Sequence, residues 1–175
     1  VLIVVDGVRM NNAIYRSGNL QNVISLDPLA LEDAEVIFGP GSILYGSDAI
    51  GGVMDFHTLK PKFSTGNTTL VKGNVSSRYA TANQEKTIHA DINIANKKWS
   101  FLNSFTYSDF GDLKMGKNGG TDSYLRKEYV QRVGNTDVII ANPNSRVQKF
   151  TGYRQQNLLS KLRFKPSDQW DMEYS

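Results

Sequence analysis

Two patterns of apolar and polar residues divide the chain. As far as Pro61, short continuous apolar runs alternate with glycine-rich turns; after Lys62 the alternation becomes residue by residue. Residues 1–5 (VLIVV) form an apolar run ending in Asp6-Gly7, which predicts a buried strand closed by a turn. Residues 35–38 and 53–57 predict a second and a third buried strand, the second stopped by Gly39-Pro40-Gly41. Residues 9–22 are polar, with asparagine and glycine, and predict a long loop. Residues 22–31 have room for a short helix, which Asp27-Pro28 would interrupt. The segment 1–62 therefore predicts a compact mixed α/β element.

From residue 63 onward the period is two. Val71, Gly73, Val75 and Tyr79 fall on one face, with Lys72, Asn74, Ser76 and Arg78 on the other. Ile88, Ala90, Ile92 and Ile94 oppose Thr87, His89, Asp91 and Asn93. Trp99, Phe101, Phe105 and Tyr107 oppose Ser100, Ser104 and Thr106, with Leu102 and Asn103 breaking the pattern. Leu158, Leu162 and Phe164 oppose Asn157, Lys161, Arg163 and Lys165, and a further strand starts at Trp170. Such alternation predicts antiparallel strands with one apolar and one polar face.

The connections are unequal. Asn96-Lys97-Lys98 and residues 166–169 are tight turns, whereas residues 111–155 form one long connection. Trp99 and Trp170 each follow a tight turn, so both lie at the same end of the sheet. Short turns at one end, long loops at the other and an aromatic girdle are features of an outer-membrane barrel. A soluble β-sandwich shows the same alternation, and periodicity alone leaves the two architectures open.

Composition narrows the classes. Cysteine is absent, so there is neither a disulfide framework nor a thiolate metal site. No run approaches the ~18 apolar residues of a membrane helix, which leaves barrel strands untouched. The net charge of +3 is too small to imply nucleic acid, and no nucleic-acid partner is expected. Residues 111–155 carry eight basic residues (Lys114, Lys117, Arg126, Lys127, Arg132, Arg146, Lys149 and Arg154) against Asp112, Asp122, Glu128 and Asp137. Positive charge thus concentrates in the long loop, where it would attract an anionic ligand or lipopolysaccharide, or serve solubility alone.

Catalytic chemistry is not indicated. No Ser/His/Asp set, paired-carboxylate motif or zinc spacing occurs, and the spacing of Asp109, Asp112 and Asp122 fits no EF-hand. His57 and His89, the only histidines, read as structural or solvated. The glycines are not followed by the lysine of a phosphate-binding loop. The expectation is a non-enzyme without metal or cofactor.

Residues 31–58 read LEDAEVIFGPGSILYGSDAIGGVMDFHT, preceded by VLIVVDGVRMNN at residues 1–12. Together they resemble the plug signature of TonB-dependent outer-membrane receptors: a strand and DG-x-R turn, then EV, GP, a short S-x-LYG turn, A-x-GGV and a closing strand. The signature residues are Gly39, Pro40, Gly41, Tyr45, Gly46, Gly51 and Gly52. The resemblance implies that residues 1–62 are the C-terminal part of a plug. Residues 63–175 would be the first strands, about five of roughly 22, of a large transmembrane β-barrel, with an extracellular loop at 111–155. It implies a Gram-negative outer-membrane location among lipid and lipopolysaccharide. It also implies uptake of an iron siderophore or haem complex driven by the TonB complex, acting through a TonB box outside this sequence. The ending GGVMDFHT resembles haem- or haemoglobin-type members. Arg9, Asn11, Asn12, Tyr15, Arg16 and Asn19 lie where such a plug carries an apical, ligand-facing loop; an aromatic and a guanidinium suit an anionic iron complex. Many members carry basic residues just before EV and GP that lock the plug to barrel carboxylates; here those positions are Ala34 and Phe38, so any such lock uses other residues. No signal peptide precedes Val1, and the expectation is a partial chain. The alternative is a soluble β-rich binding or adhesion module.

Overall fold

The computed structural model describes residues 1–10, 25–39, 42–46, 49, 51–116, 118 and 124–175. Two compact units are present. One comprises Val1–Asn74, Ala90–Phe105 and Asn157–Ser175; the other comprises Val75–His89 and Thr106–Gln156.

The first apolar run folds as expected. Strand β1 (Leu2–Val5) turns through Asp6-Gly7 into β2 (Val8–Arg9). Both turn residues have positive φ, 48° and 80°, as the two-residue turn that matches strand twist requires. Strands β3 (Leu31–Ile37) and β4 (Val53–Thr58) complete a four-stranded sheet of order β2-β1-β4-β3. β1 runs parallel to β4, pairing Leu2 with Val53 and Val4 with Asp55, and β3 runs antiparallel to β4. Leu2, Val4, Ala49 and Val53 form a buried cluster, with Ile37 and Tyr45 packed against it. The short helix expected in residues 22–31 is a 3-10 turn, Pro28–Ala30. Asp27-Pro28 starts it rather than interrupting it: the Asp27 side chain accepts from Leu29 N at 3.0 Å, and proline suits a first helical position.

Five strands alternate as predicted: β5 (Leu70–Ala80), β6 (Glu85–Ala95), β7 (Trp99–Phe110), then, after the long connection, two more. That connection is not the plain loop the composition suggests. It contains a hairpin, β8 (Glu128–Val133) and β9 (Thr136–Ala141), turning at Gly134, whose φ is 63°. The last strands are β10 (Tyr153–Ser167), longer at both ends than the alternation of residues 157–165 shows, and β11 (Trp170–Tyr174). The sheet order is β11-β10-β7-β6-β5, and among the described residues it is open at both edges and closes no barrel. Pro166 falls within β10, where the pairing with β11 shifts register between Phe164 and Ser167; a bulge tolerates the missing N–H.

Candidate functional site

The two faces of β6 and β7 are buried the wrong way round for a water-soluble protein. Along β6 the buried residues are Glu85, Thr87, His89, Asn93 and Ala95, while Ile88, Ile92 and Ile94 are exposed. Along β7, Ser100, Ser104, Thr106 and Ser108 are buried, whereas Phe101 and Phe105 remain about 40% exposed (39% and 43%). Val71, Val75, Leu158 and Leu162 are exposed as well. A soluble sandwich hides its apolar rows; here they form the open face. Leu102 and Asn103 break the apolar/polar pattern as read, each on the face its position dictates, while the strand itself runs through without interruption. Leu102 is simply an apolar residue on the buried face, only 4% exposed.

Hydrogen bonds satisfy much of that polar face, although the buried Ser104 Oγ has no partner among the described residues. Thr87 Oγ1 lies 3.0 Å from both Glu85 Oε1 and Ser108 Oγ, and His89 Nδ1 lies 2.7 Å from Thr106 Oγ1. His89 is therefore a buried structural histidine. Asn93 is a fastener rather than a free polar residue. Its Oδ1 accepts from Lys62 N and its Nδ2 donates to Lys62 O, both at 2.9 Å, and Ser100 Oγ donates to Lys62 O at 3.1 Å. The segment leading out of β4 is thereby pinned to β6 and β7.

A second attachment joins the first turn to β10. Lys161 is 2% exposed, yet its Nζ lies 3.0 Å from Asp6 Oδ2 and 3.4 Å from Glu173 Oε1. Asp6 also accepts from Thr58 N at 2.9 Å and Thr58 Oγ1 at 2.5 Å. Burial pushes the Asp6 carboxyl up, but the hydrogen bonds from the Thr58 hydroxyl and amide and from Lys161 outweigh it, leaving its pKa below the ordinary value. With Ala34 and Phe38 unable to carry charge, this is an ion tie with reversed sign: the carboxylate sits on the small sheet, the cation on the long strand. Sequence reasoning missed Asp6, Thr58, Lys161 and Glu173 as a set, since 155 residues separate Asp6 from Lys161.

The signature residues are placed for close backbone contact. Gly39, Gly46 and Gly52 have φ of 90°, 86° and 123°. A Cβ on Gly52 would lie 2.8 Å from Ile37 O, and one on Gly46 would lie 3.1 Å from Arg9 Nη1. Arg9 Nη1 donates to Tyr45 O at 3.1 Å, so the arginine after the DG turn bridges to the LYG turn. The Tyr45 hydroxyl reaches Asp55 Oδ2 at 3.5 Å. Gly51 lies in the turn before β4, its Cβ position 3.8 Å from Val1 N. Pro40 and Gly41, and the expected ligand residues Asn11, Asn12, Tyr15, Arg16 and Asn19, lie outside the described residues. Of the expected ligand residues only Arg9 is placed. Asp33, Glu35 and His57 bring one potential metal-ligand atom each within 4.8 Å of one another; both carboxylates are exposed, and the grouping was not visible in the sequence.

The long connection has its own framework. Asn142, buried at 9% exposure, donates through Nδ2 to Arg126 O and Val147 O, both at 2.8 Å. Met115 N donates to Arg146 O, Arg126 N to Ser145 O, and Gln148 N to Leu113 O, at 2.7–2.9 Å. Asp112 Oδ1 accepts from Thr151 N and Gly152 N. At the opposite, tight-turn end of the strands, Asn96 Oδ1 accepts from Lys98 N and Trp99 N, both at 2.8 Å. Trp99 there stacks on Phe164, ring centroids 3.9 Å apart.

Residues 1–53 match the family model described as TonB-dependent Receptor Plug Domain. The Vitamin B12 transporter BtuB of Vibrio vulnificus is 24% identical over 99% of this chain and 23% of its own length. The Ferrioxamine B receptor of Salmonella typhimurium is 30% identical over 64% of this chain and 15% of its own. The Ferrioxamine receptor of Yersinia enterocolitica is 38% identical over 43% and 10%. The plug signature thus stands in a stretch, residues 1–53, that is similar to TonB-dependent receptor plug domains. The chain spans less than a quarter of the length of each of these relatives.

Proposed function

We propose that the chain contributes plug and wall to an outer-membrane receptor that captures a nutrient complex outside and admits it under force from TonB. The observation that carries this reading is the inverted burial of β6 and β7, with Ile and Phe rows exposed and Thr, His and Ser rows buried, and with Lys161 buried on β10 beside the exposed Leu158 and Leu162. Exposed rows on strands of 11–12 residues suit hydrocarbon, which a strand of ~9–11 residues crosses. They weigh against the soluble binding module. In this reading residues 1–62 are plug, residues 63–175 are wall, and the basic connection at 111–155 faces outward. A vitamin B12 transporter and ferrioxamine receptors among the relatives favour a metal-chelate complex as cargo, a siderophore before haem. Tyr15 and Arg16, in the stretch of sequence that follows β2, are its plug-side contacts, and TonB, outer-membrane lipid and lipopolysaccharide are its partners.

The test is thiol labelling. The sequence holds no cysteine, so one introduced at Asn118 or at Lys97 is the one target within it. An impermeant reagent on intact Gram-negative cells should reach the cysteine at 118 and not the one at 97. Labelling at 97 alone would reverse the topology, and equal labelling at both would remove the membrane from the account.

A further inference from the structure

We propose that the long connection carries a built anion site: a cleft of about 340 Å³ lined by Lys114, Arg126 and Arg146 together with Leu113, Met115 and Tyr124. Among the described residues its lining contains three cations and no carboxylate. Among the described residues none of the three pairs with an acid; the one side-chain bond among them runs from Arg146 Nη2 to the neutral Gly116 O, at 2.6 Å. Three like charges around one concavity repel one another unless an anion occupies it. The walls are set in advance. An antiparallel bridge joins Lys114 to Val147, and the Asn142 amide clamps the carbonyls of Arg126 and Val147. The cations therefore stand on backbone already held by hydrogen bonds, which lowers the entropy lost on binding.

The lining also fixes the ligand class. Guanidinium groups favour carboxylate or phosphate oxygens, while Tyr124, Leu113 and Met115 offer apolar contact beside them. The volume lies at the low end of small-molecule pockets, enough for one polyanionic head of citrate size. Clustered carboxylates or phosphates on a small solute, or the phosphates of a lipid headgroup, share this chemistry. As a capture point for an imported complex the site rests on the uptake reading above. The binding itself does not.

The experiment is calorimetric titration of the detergent-solubilised protein with citrate and with pyrophosphate, beside flotation with vesicles containing lipopolysaccharide. R126Q/R146Q is compared with K149Q, which removes a charge from the same connection outside the lining. The expected result is at least a ten-fold loss of affinity in the double variant and less than two-fold in K149Q, with circular dichroism unchanged in both. Titration with the soluble probes assigns the site to a free solute. Flotation lost in the double variant, with no heat from citrate or pyrophosphate, assigns the same cations to lipid headgroups. No binding to any probe, or an equal loss in K149Q, overturns the site. Binding is read without transport, so its failure leaves the uptake reading standing, and a failed topology test leaves this measurement intact.

Discussion

Asp6→Asn probes the tie between the small sheet and β10. The substitution keeps the size of the side chain and one acceptor for Thr58, but removes the charge 3.0 Å from Lys161 Nζ. At an effective dielectric of ~20 the lost attraction is about 5 kcal/mol before desolvation is counted. Removing one partner of a fully buried pair costs ~3–5 kcal/mol. Two features reduce that here: the Asp6 side chain is 30% exposed, and Glu173 Oε1 still lies 3.4 Å from the ammonium. The expected cost is ~1–3 kcal/mol after that discount, roughly five- to a hundred-fold in the unfolding equilibrium. The assay is urea unfolding in detergent micelles, followed by tryptophan fluorescence, for D6N, K161M and the double variant. The pH dependence has a definite sign. The Asp6 pKa is lowered in the folded state, so its contribution is fully present above the unfolded value of ~3.9 and disappears as pH falls through the folded one. The difference between D6N and the parent should therefore be constant from neutral pH down to about 5 and shrink below about 4. A cost under ~0.5 kcal/mol, within the range of ordinary surface substitutions, or the same cost of D6N in the K161M background, would refute the reasoning.

Gly52→Ala places a Cβ 2.8 Å from Ile37 O at a φ of 123° and should destabilise by ~1–3 kcal/mol, measured by the same unfolding, whereas Gly134→Asn, at φ 63° with open space around it, should cost little. Ile92→Arg places a charge on the exposed apolar row and should cost ~2–4 kcal/mol in a bilayer, while Asn74→Arg on the opposite face should cost under ~1 kcal/mol; equal costs in a lipid refolding titration would contradict the facing. Asn93 is unsuitable as that control, because its amide holds both the N–H and the carbonyl of Lys62.

The faces of β5, β6 and β10 were legible because a period of two needs no tertiary information. Leu102 stood out in the sequence as an apolar residue on the polar face, and it is buried there. The β8–β9 hairpin was missed although its signal was present: Gly134-Asn135 stands between two runs rich in β-branched residues, but the many charges nearby drew the reading toward solvent. The glycine signature was legible because positive φ restricts the residue type at Gly39, Gly46 and Gly52. The Lys161 tie was not, since a lysine on a polar face looks the same whether water or Asp6 meets it. The grouping of Lys114, Arg126 and Arg146 was equally hidden: the sequence shows the sum of charge in residues 111–155, and only backbone pairing through Asn142 shows which charges converge.

Spin labels on cysteines placed singly at Val71, Lys72, Asn74, Val75 and Ser76 of β5 and at Ile88 and Ile92 of β6, in the protein reconstituted into bilayers, report whether the exposed apolar rows face hydrocarbon. Paramagnetic relaxation by oxygen, which partitions into lipid, should be high at Val71, Val75, Ile88 and Ile92 and low at Lys72, Asn74 and Ser76, with the opposite order for a water-soluble nickel complex. Strong nickel-complex relaxation and weak oxygen relaxation at Val71, Val75, Ile88 and Ile92 would place those side chains in water and contradict the account.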